Sequence, residues 1–588
     1  MHVIARSACR RAAGEGGFTM VATMGVLMVV MLFSVAAFAA TDGDFKVGGD
    51  DKERKAAYAA AEAGVNDYLA RLIADTDYWR KCSDLDPVTK APLHPGLNLK
   101  NPPAAQRRWM AIPGSTAQYS IEVLPNRANA AGQCDPNNAQ STFIEASSGT
   151  FRIRSTGRSS ATSRQHRSVV ATLRRRGFLD YIYFTDFETQ NPAFYARNAN
   201  GLVTRENPRG PGLPQRSIIE WAEEECATYW HEGRGEKRFN GLAAHNAGIF
   251  YDGKWHDMAN VRCGEINFVS GDALKGPMHT NDSIAVCGSP TYGRQISDDI
   301  EVSGPGIDAA GNPRPGEGWR QTCGGGAPQV NYPESSPMTA TLGVWRKNAP
   351  LVTLPPSNAS LKDDALPSYR FKGKTTISLA GTTMTVTSRR ESGVPLTNVS
   401  MPVPADGVIY VANGDDPGKA ACTGYQPLDP LAASDNCGDV WLKGTYGRSI
   451  TITAENDIVL EDDVQRSGDH LLGLISNNFI RVHHPVAGTC GDNNGGPGAI
   501  TIEAAILSLR NSFTVDRWWC GDQIGTLTVK GAIAQKFRGT VGQIGNSGYL
   551  KDYQYDDRLR FRSPPRFLDP VQAGWRIQTY VEQVPAAR

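Results

Sequence analysis

Twenty-three residues without a charge run from Phe18 to Ala40, and the first acid after them is Asp42. At about 1.5 Å of rise per residue, a helix of that length covers the hydrocarbon core of a bilayer. The preceding segment carries Arg6, Arg10 and Arg11 against Glu15, a net charge of +2 from three arginines less one acid. That surplus holds the start of the chain on the cytoplasmic side and sends the rest outward. The expected layout is a leader at 1–17, a membrane-embedded helix at 18–40 and an exported remainder. Ala37-Phe38-Ala39 also offers an A-x-A signal-peptidase site, but the run is long for a signal peptide, whose apolar region spans about 7–15 residues.

The glycine in front of the run favours a third reading. Gly16-Gly17-Phe18-Thr19-Met20-Val21 resembles the class III signal of type IV pilins and pseudopilins. The resemblance implies cleavage after Gly17 by a prepilin peptidase, methylation of Phe18, and packing of the helix with other pilin subunits on an assembly platform. It departs from the family at the fifth mature position, where Ala22 stands in place of the usual glutamate, as in large tip-capping pseudopilins. A carboxylate in an apolar bundle is costly unless paired, so its absence removes an assembly contact. Position 22 of that mature chain, usually proline, is Ala39.

Residues 50–74 carry Tyr58, Ala61, Val65, Leu69 and Leu72 at three- and four-residue spacings, which predicts one apolar stripe on a helix. Gly64 in that stripe costs about 1 kcal/mol against alanine. The stretch 51–69, with Ala60-Ala61-Glu62-Ala63-Gly64, resembles the N-terminal domain of PilX-type minor pilins. Short alternating runs at 118–124, 143–144, 150–155 and 169–173 predict an antiparallel sheet against that helix, making 41–177 a pilin-like helix and small sheet. The arginines from Arg152 to Arg176 have only Phe151 and Phe178 as flanking aromatics, too few for a stacking nucleic-acid surface, so a solvated strand face is expected. Net charge +1 over 588 residues points the same way.

A boundary is expected near Gly177, with a β-rich extracellular head over 178–588 and an irregular excursion at 305–365. Sixty-one glycines and 36 prolines favour turns and strands. From 408 to 534 short apolar runs alternate with Gly, Asn and Asp, and Asn456, Asn477, Asn478 and Asn511 fall in the turns. This predicts a right-handed parallel β-solenoid with turn asparagines stacked in a ladder, or alternatively an antiparallel β-sandwich. Leu471–Asn478, Gly531–Gly539, Tyr553–Leu559, Ser563–Pro565 and Phe567–Pro570 resemble the head domains of large PilX-like proteins of actinobacterial type.

Of eleven cysteines, Cys9 lies in the leader and ten remain. An even set without C-x-x-C favours disulfides over zinc. Sequential pairing is the expectation: Cys82–Cys134, Cys226–Cys263, Cys287–Cys323, Cys422–Cys437 and Cys490–Cys520. No cofactor is expected. His279, Asn281 and Asp282 invite a metal or acid/base reading, although Asx turn chemistry accounts for the same letters. Glu461, Asp462 and Asp463 are adjacent, so they face alternate sides of a strand rather than converging as a glycosidase pair. The expectation is therefore a non-enzyme, a minor pilus subunit at the tip that promotes assembly and adhesion to a surface glycan or another cell-surface ligand. The alternative is a secreted or membrane-anchored β-helix protein that binds or acts on polysaccharide.

Overall fold

The computed structural model describes residues 18–74, 78, 96–98, 107–124, 150–194 except 176, and 263–304 except 295–297. It also describes short segments within 205–257 and 306–346, and 349–586 apart from 406, 426–433, 489, 561 and 572–574; the side chains of 18–22 and 36–47 lie outside this set. The chain is mainly β and forms two compact units. The first contains the residues up to Glu145, Thr150–Arg174 and Ile577–Arg588; the second contains Ala146–Gly149 and Arg175–Arg576. The change at 174–175 falls close to Gly177. The closing strand Trp575–Gln583, however, joins the edge of the first unit's sheet beside His166–Arg175, so the last residues do not belong to the β-rich head.

In the first unit one helix runs unbroken from Phe18 to Ala74. Its C-terminal part lies on a sheet ordered Leu97–Asn98, Gln118–Leu124, Thr150–Arg158, His166–Arg175 and Trp575–Gln583. The two central pairings are antiparallel. The helix buries Ala57, Ala60, Ala61, Val65, Tyr68 and Leu72, while Tyr58 and Leu69 sit at the border. The apolar stripe is thus turned by about one residue from the expected one, because the smallest residues set the approach. A Cβ on Gly157 would land on the Ala57 carbonyl oxygen and the Ala61 nitrogen, and one on Gly64 would lie 2.7 Å from Tyr119 Cδ2. Gly64 gives up helix propensity so that helix and sheet can touch. Within the arginine-rich stretch, Arg154 pairs with buried Glu122 at 2.6 Å, Arg158 stacks 4.0 Å over Trp109, and Arg167 meets Glu582 at 2.9 Å.

The second unit is a stack of coils with three faces, a β-helix-like arrangement. The coil at 450–466 shows the plan: Ile450–Ala454 on the first face, Ile458–Leu460 on the second and Val464–Arg466 on the third. The next coil lies about one repeat of 22 residues on, Ile450 opposite Leu472 and Ile458 opposite Ile480, all in parallel register. Ile500–Ser508, Phe513–Val515 and Gln523–Arg538 continue the ladders. The inward positions of these strands are mostly apolar, and together they form one continuous core. Between the first and second faces an asparagine ladder includes three of the four expected residues, while Asn477 instead accepts the Asn358 amide at 2.8 Å. Asn478 donates to Asn456 at 2.6 Å, Asn511 to Asn478 at 3.5 Å and Asn191 to Asn511 at 3.1 Å. Antiparallel pairing in this unit is confined, among the described residues, to hairpins and isolated bridges, so the sandwich alternative does not describe it. One hairpin, Thr383–Arg390 with Pro395–Pro402, adds Met384, Val386 and Leu396 to the core.

Two features could not be foreseen from local pattern. The coil below Gln523–Arg538 is composite, with one face from Ser547–Tyr555 and another from Tyr183–Gln190. Tyr183 pairs with Ile533 on one side and with Met278 on the other, and Tyr553 with Val529 and Leu274. The chain therefore enters its stack in the middle, and coils at 268–302 continue below the joint. Second, two straps run lengthwise over the first face. Residues 349–365, expected to be part of an irregular excursion, cover Val408, Tyr410, Ile475, Leu507, Ala534 and Phe184 through Val352, Leu361 and Ala365. Residues 562–571 lie beside them, with the Val571 amide donating to the Thr353 carbonyl at 2.9 Å. Gly473 leaves room for this second strap, since a Cβ there would sit 2.8 Å from Phe567 Cδ2.

Candidate functional site

The least satisfied surface belongs to the long helix. From 23 to 35 every residue is exposed, and the large apolar ones point in all directions, Phe33 at 73% and Met31 at 71% among them. An apolar patch of this size on every side of a helix marks an interaction surface or an apolar medium. Ser34 satisfies its hydroxyl within the helix by donating to the Val30 carbonyl at 2.7 Å, as an apolar surrounding requires. Among the described residues no helix is long and apolar enough to cross a membrane. The cleavage position Gly17 lies outside the described residues. Phe18 and Ala22 begin the helix, but their side chains lie outside that set.

The sequence-flagged polar residues of the β-rich unit are structural neighbours. His279 and Asn281 are buried and tie the first strap to the stack: Asn281 exchanges hydrogen bonds with the Val352 backbone at 2.9 and 2.7 Å. His279 bridges Asn281 Oδ1 and Glu301 Oε2, 3.0 Å from each. Asp282 accepts the amides of Glu188 and Trp230 at 2.9 and 2.8 Å, an Asx-like role joining separate segments. Asp462 is exposed, Glu461 meets Lys443 at 3.6 Å and Asp463 caps the Thr501 amide at 2.7 Å, so the three acids do not converge. Among the described residues no group of His, Cys, Asp and Glu could hold a metal ion.

The second face carries a charge cluster that sequence reading missed. Arg481 is fully buried and reaches Asp457 at 3.1 Å and Asp516 at 2.8 Å, one coil to either side. Tyr425 and Trp441 flank its guanidinium at 4.8 and 5.9 Å, and the disulfide-closed loop ending at Cys437 supplies Tyr425. An arginine inside the apolar run Phe479-Ile480-Arg481-Val482 is the signal that could have exposed it. Burial, reinforced by nearby Asp439 and opposed by Arg481, pushes the Asp457 carboxyl up to about 7. Burial would also raise Asp516, but Arg481 and His483 hold it below the usual range. Both Asp457 oxygens are taken, one by the Phe479 amide at 3.0 Å and the other by Arg481. The cluster therefore braces three coils rather than facing a substrate.

The raised Asp457 has a pH signature. A carboxyl that binds its proton more tightly folded than unfolded adds stability below its unfolded value of 3.8, and that stability is lost as pH rises toward about 7. We expect the melting temperature of the β-rich unit to fall between pH 5 and pH 8. Asp457→Asn should flatten that slope, as a thermal-melt series would show; an unchanged slope would assign it elsewhere.

No protein-family model matches the chain, and no curated protein or solved structure is similar to it. Disulfides join Cys226 to Cys263, Cys422 to Cys437 and Cys490 to Cys520, each to its sequence neighbour, and Cys287 is also oxidised. Cys82, Cys134 and Cys323 lie outside the described residues. These crosslinks belong to an oxidising, extracellular environment.

Proposed function

We propose that the chain is a pilin-like minor subunit, inserted in the cytoplasmic membrane through residues 18–40 and then assembled at the tip of a pilus or pseudopilus, where its β-rich head is presented to a surface. One observation carries this reading: a single helix whose first part is apolar on every side and whose last part is bedded on an antiparallel sheet. Such a helix needs lipid or other apolar helices along its free length, and the same rod carries the folded unit clear of that medium. The Gly17-Phe18 junction at the start of the rod supplies the cleavage position for a prepilin peptidase. The β-helix-like head, braced and oxidised, suits exposure outside the cell, and the long surface that its straps leave uncovered suits a surface ligand such as a glycan. Placement at the tip rests on the bulk of the head and on Ala22, which brings no carboxylate for a preceding subunit's amine.

The N-terminus tests the reading. Mass spectrometry of the protein from its native cell should find N-methylated Phe18 as the first residue. A start at Ala40 would mean that signal peptidase releases a secreted protein, and an intact leader would mean a plain anchor.

A further inference from the structure

Two reciprocal ion pairs join Ser547–Tyr555 to the coil below it, and they differ in one respect. Lys275 and Asp552 meet at 2.6 Å on the outside, with side chains 39% and 24% exposed. Lys551 and Asp272 meet on the inner side: Lys551 shares a strand face with Tyr549, Tyr553 and Tyr555, all members of the apolar core, and lies opposite core Leu527. Its Nζ is 3.2 Å from both oxygens of Asp272, with side chains 16% and 4% exposed. Arg538, bound to Glu188 at 3.1 Å and lying 3.5 Å over Phe268, adds another buried ion pair to the same part of the core.

We infer that Lys551 and Asp272 condense to an intramolecular amide, a covalent rung between two coils. The ammonium and the carboxylate form the Nζ–Cγ bond, and Oδ1 leaves as water with two of the three ammonium protons. Nothing is oxidised or reduced and no further reactant is needed. The Val269 amide donates to Oδ2 at 3.0 Å, placed to stabilise charge gathering on that oxygen as the amine adds. Burial, with Arg538 nearby, lowers the Lys551 ammonium below its usual range and so favours the free amine that attacks, while Asp272 opposes the shift. Holding amine and carboxyl together supplies the effective concentration that condensation in water lacks. The product removes two charges from an apolar interior, where ions are costly even when paired. Lys275 and Asp552 are closer but solvated, so proximity without desolvation leaves them ionic.

The test is the covalent mass. Full-length exported protein, reduced and alkylated, should yield one branched proteolytic peptide joining the Lys551 and Asp272 segments, lighter than its two parts by one water (about 18 Da). Lys551→Met and Asp272→Ala should each abolish it, and Lys275→Met should leave it intact. Separate, unmodified Lys551 and Asp272 peptides from the wild-type protein would overturn the inference whatever the variants do. A branched peptide at Lys275–Asp552 would overturn the role given to burial.

Discussion

Arg481→Met should destabilise the β-rich unit by about 3–5 kcal/mol, the usual cost of removing one partner from a buried ion pair. The side chains of Arg481, Asp457 and Asp516 are all fully shielded from solvent, and the guanidinium answers both carboxylates. Methionine fills much of the same volume, so the loss comes from stranded charge rather than a cavity. The sign of its pH dependence separates this from a packing defect. Losing Arg481 removes the charge that holds the Asp457 carboxyl down, so in the variant it takes up its proton more readily and the stranded charge shrinks as pH falls; the penalty should be smaller at pH 5 than at pH 8. Denaturant unfolding at the two pH values measures both quantities. A penalty independent of pH would show that Arg481 acts through shape alone.

Gly157→Ala should be the most damaging small substitution in the first unit, and it runs against local propensity. Glycine in a strand interior is ordinarily a weak choice that alanine improves. Here the added methyl meets backbone atoms of Ala57, Ala60 and Ala61, none of which can rotate away. Helix and sheet must separate, and overpacking of this kind costs about 1–3 kcal/mol, with the upper end expected where the obstacle is backbone. Gly48, with nothing within 4 Å of its would-be Cβ, is the matched control. Gly48→Ala should be neutral or stabilising by up to about 1 kcal/mol through helix propensity. Unfolding followed by far-ultraviolet circular dichroism compares them; equal effects would deny the close approach any role.

What sequence pattern revealed and what it hid divide along a physical line. Period-two runs such as Ile450–Ala454 and Leu472–Ser476 were visible because each strand's inward face is written in its own residues. The turn asparagines were visible because their spacing follows the coil. The apolar run from Phe18 was visible because exposure of an uncharged helix is a matter of composition. Pairings between distant segments were not visible. Nothing local in Tyr183–Gln190 says that it completes a coil with Ser547–Tyr555, or that 349–365 will lie across the strands, and the strand from Arg370 to Gly381 with its hairpin went unread. Arg481 was hidden for a related reason: its face of the coil would be solvent without the loop carrying Tyr425, and the one local mark, an arginine within an apolar run, does not say which remote loop buries it.

The composite coil has a consequence for the order in which the molecule acquires its structure. Coils from 407 to 538 are built from neighbours 18 to 43 residues apart, so they can close as soon as that stretch of chain is present. The joint below them cannot, because Glu188 and Arg538, which meet there, are 350 residues apart. Nor can the sheet under the long helix acquire its edge strand until Trp575–Gln583 has arrived. The first-made portion of the protein is therefore among the last to be completed, and it must wait, open, for the end of its own chain. A polypeptide whose start stays at a membrane while the rest is passed across it unfolded meets that condition without penalty, since its early part stays open until the closing strand has crossed.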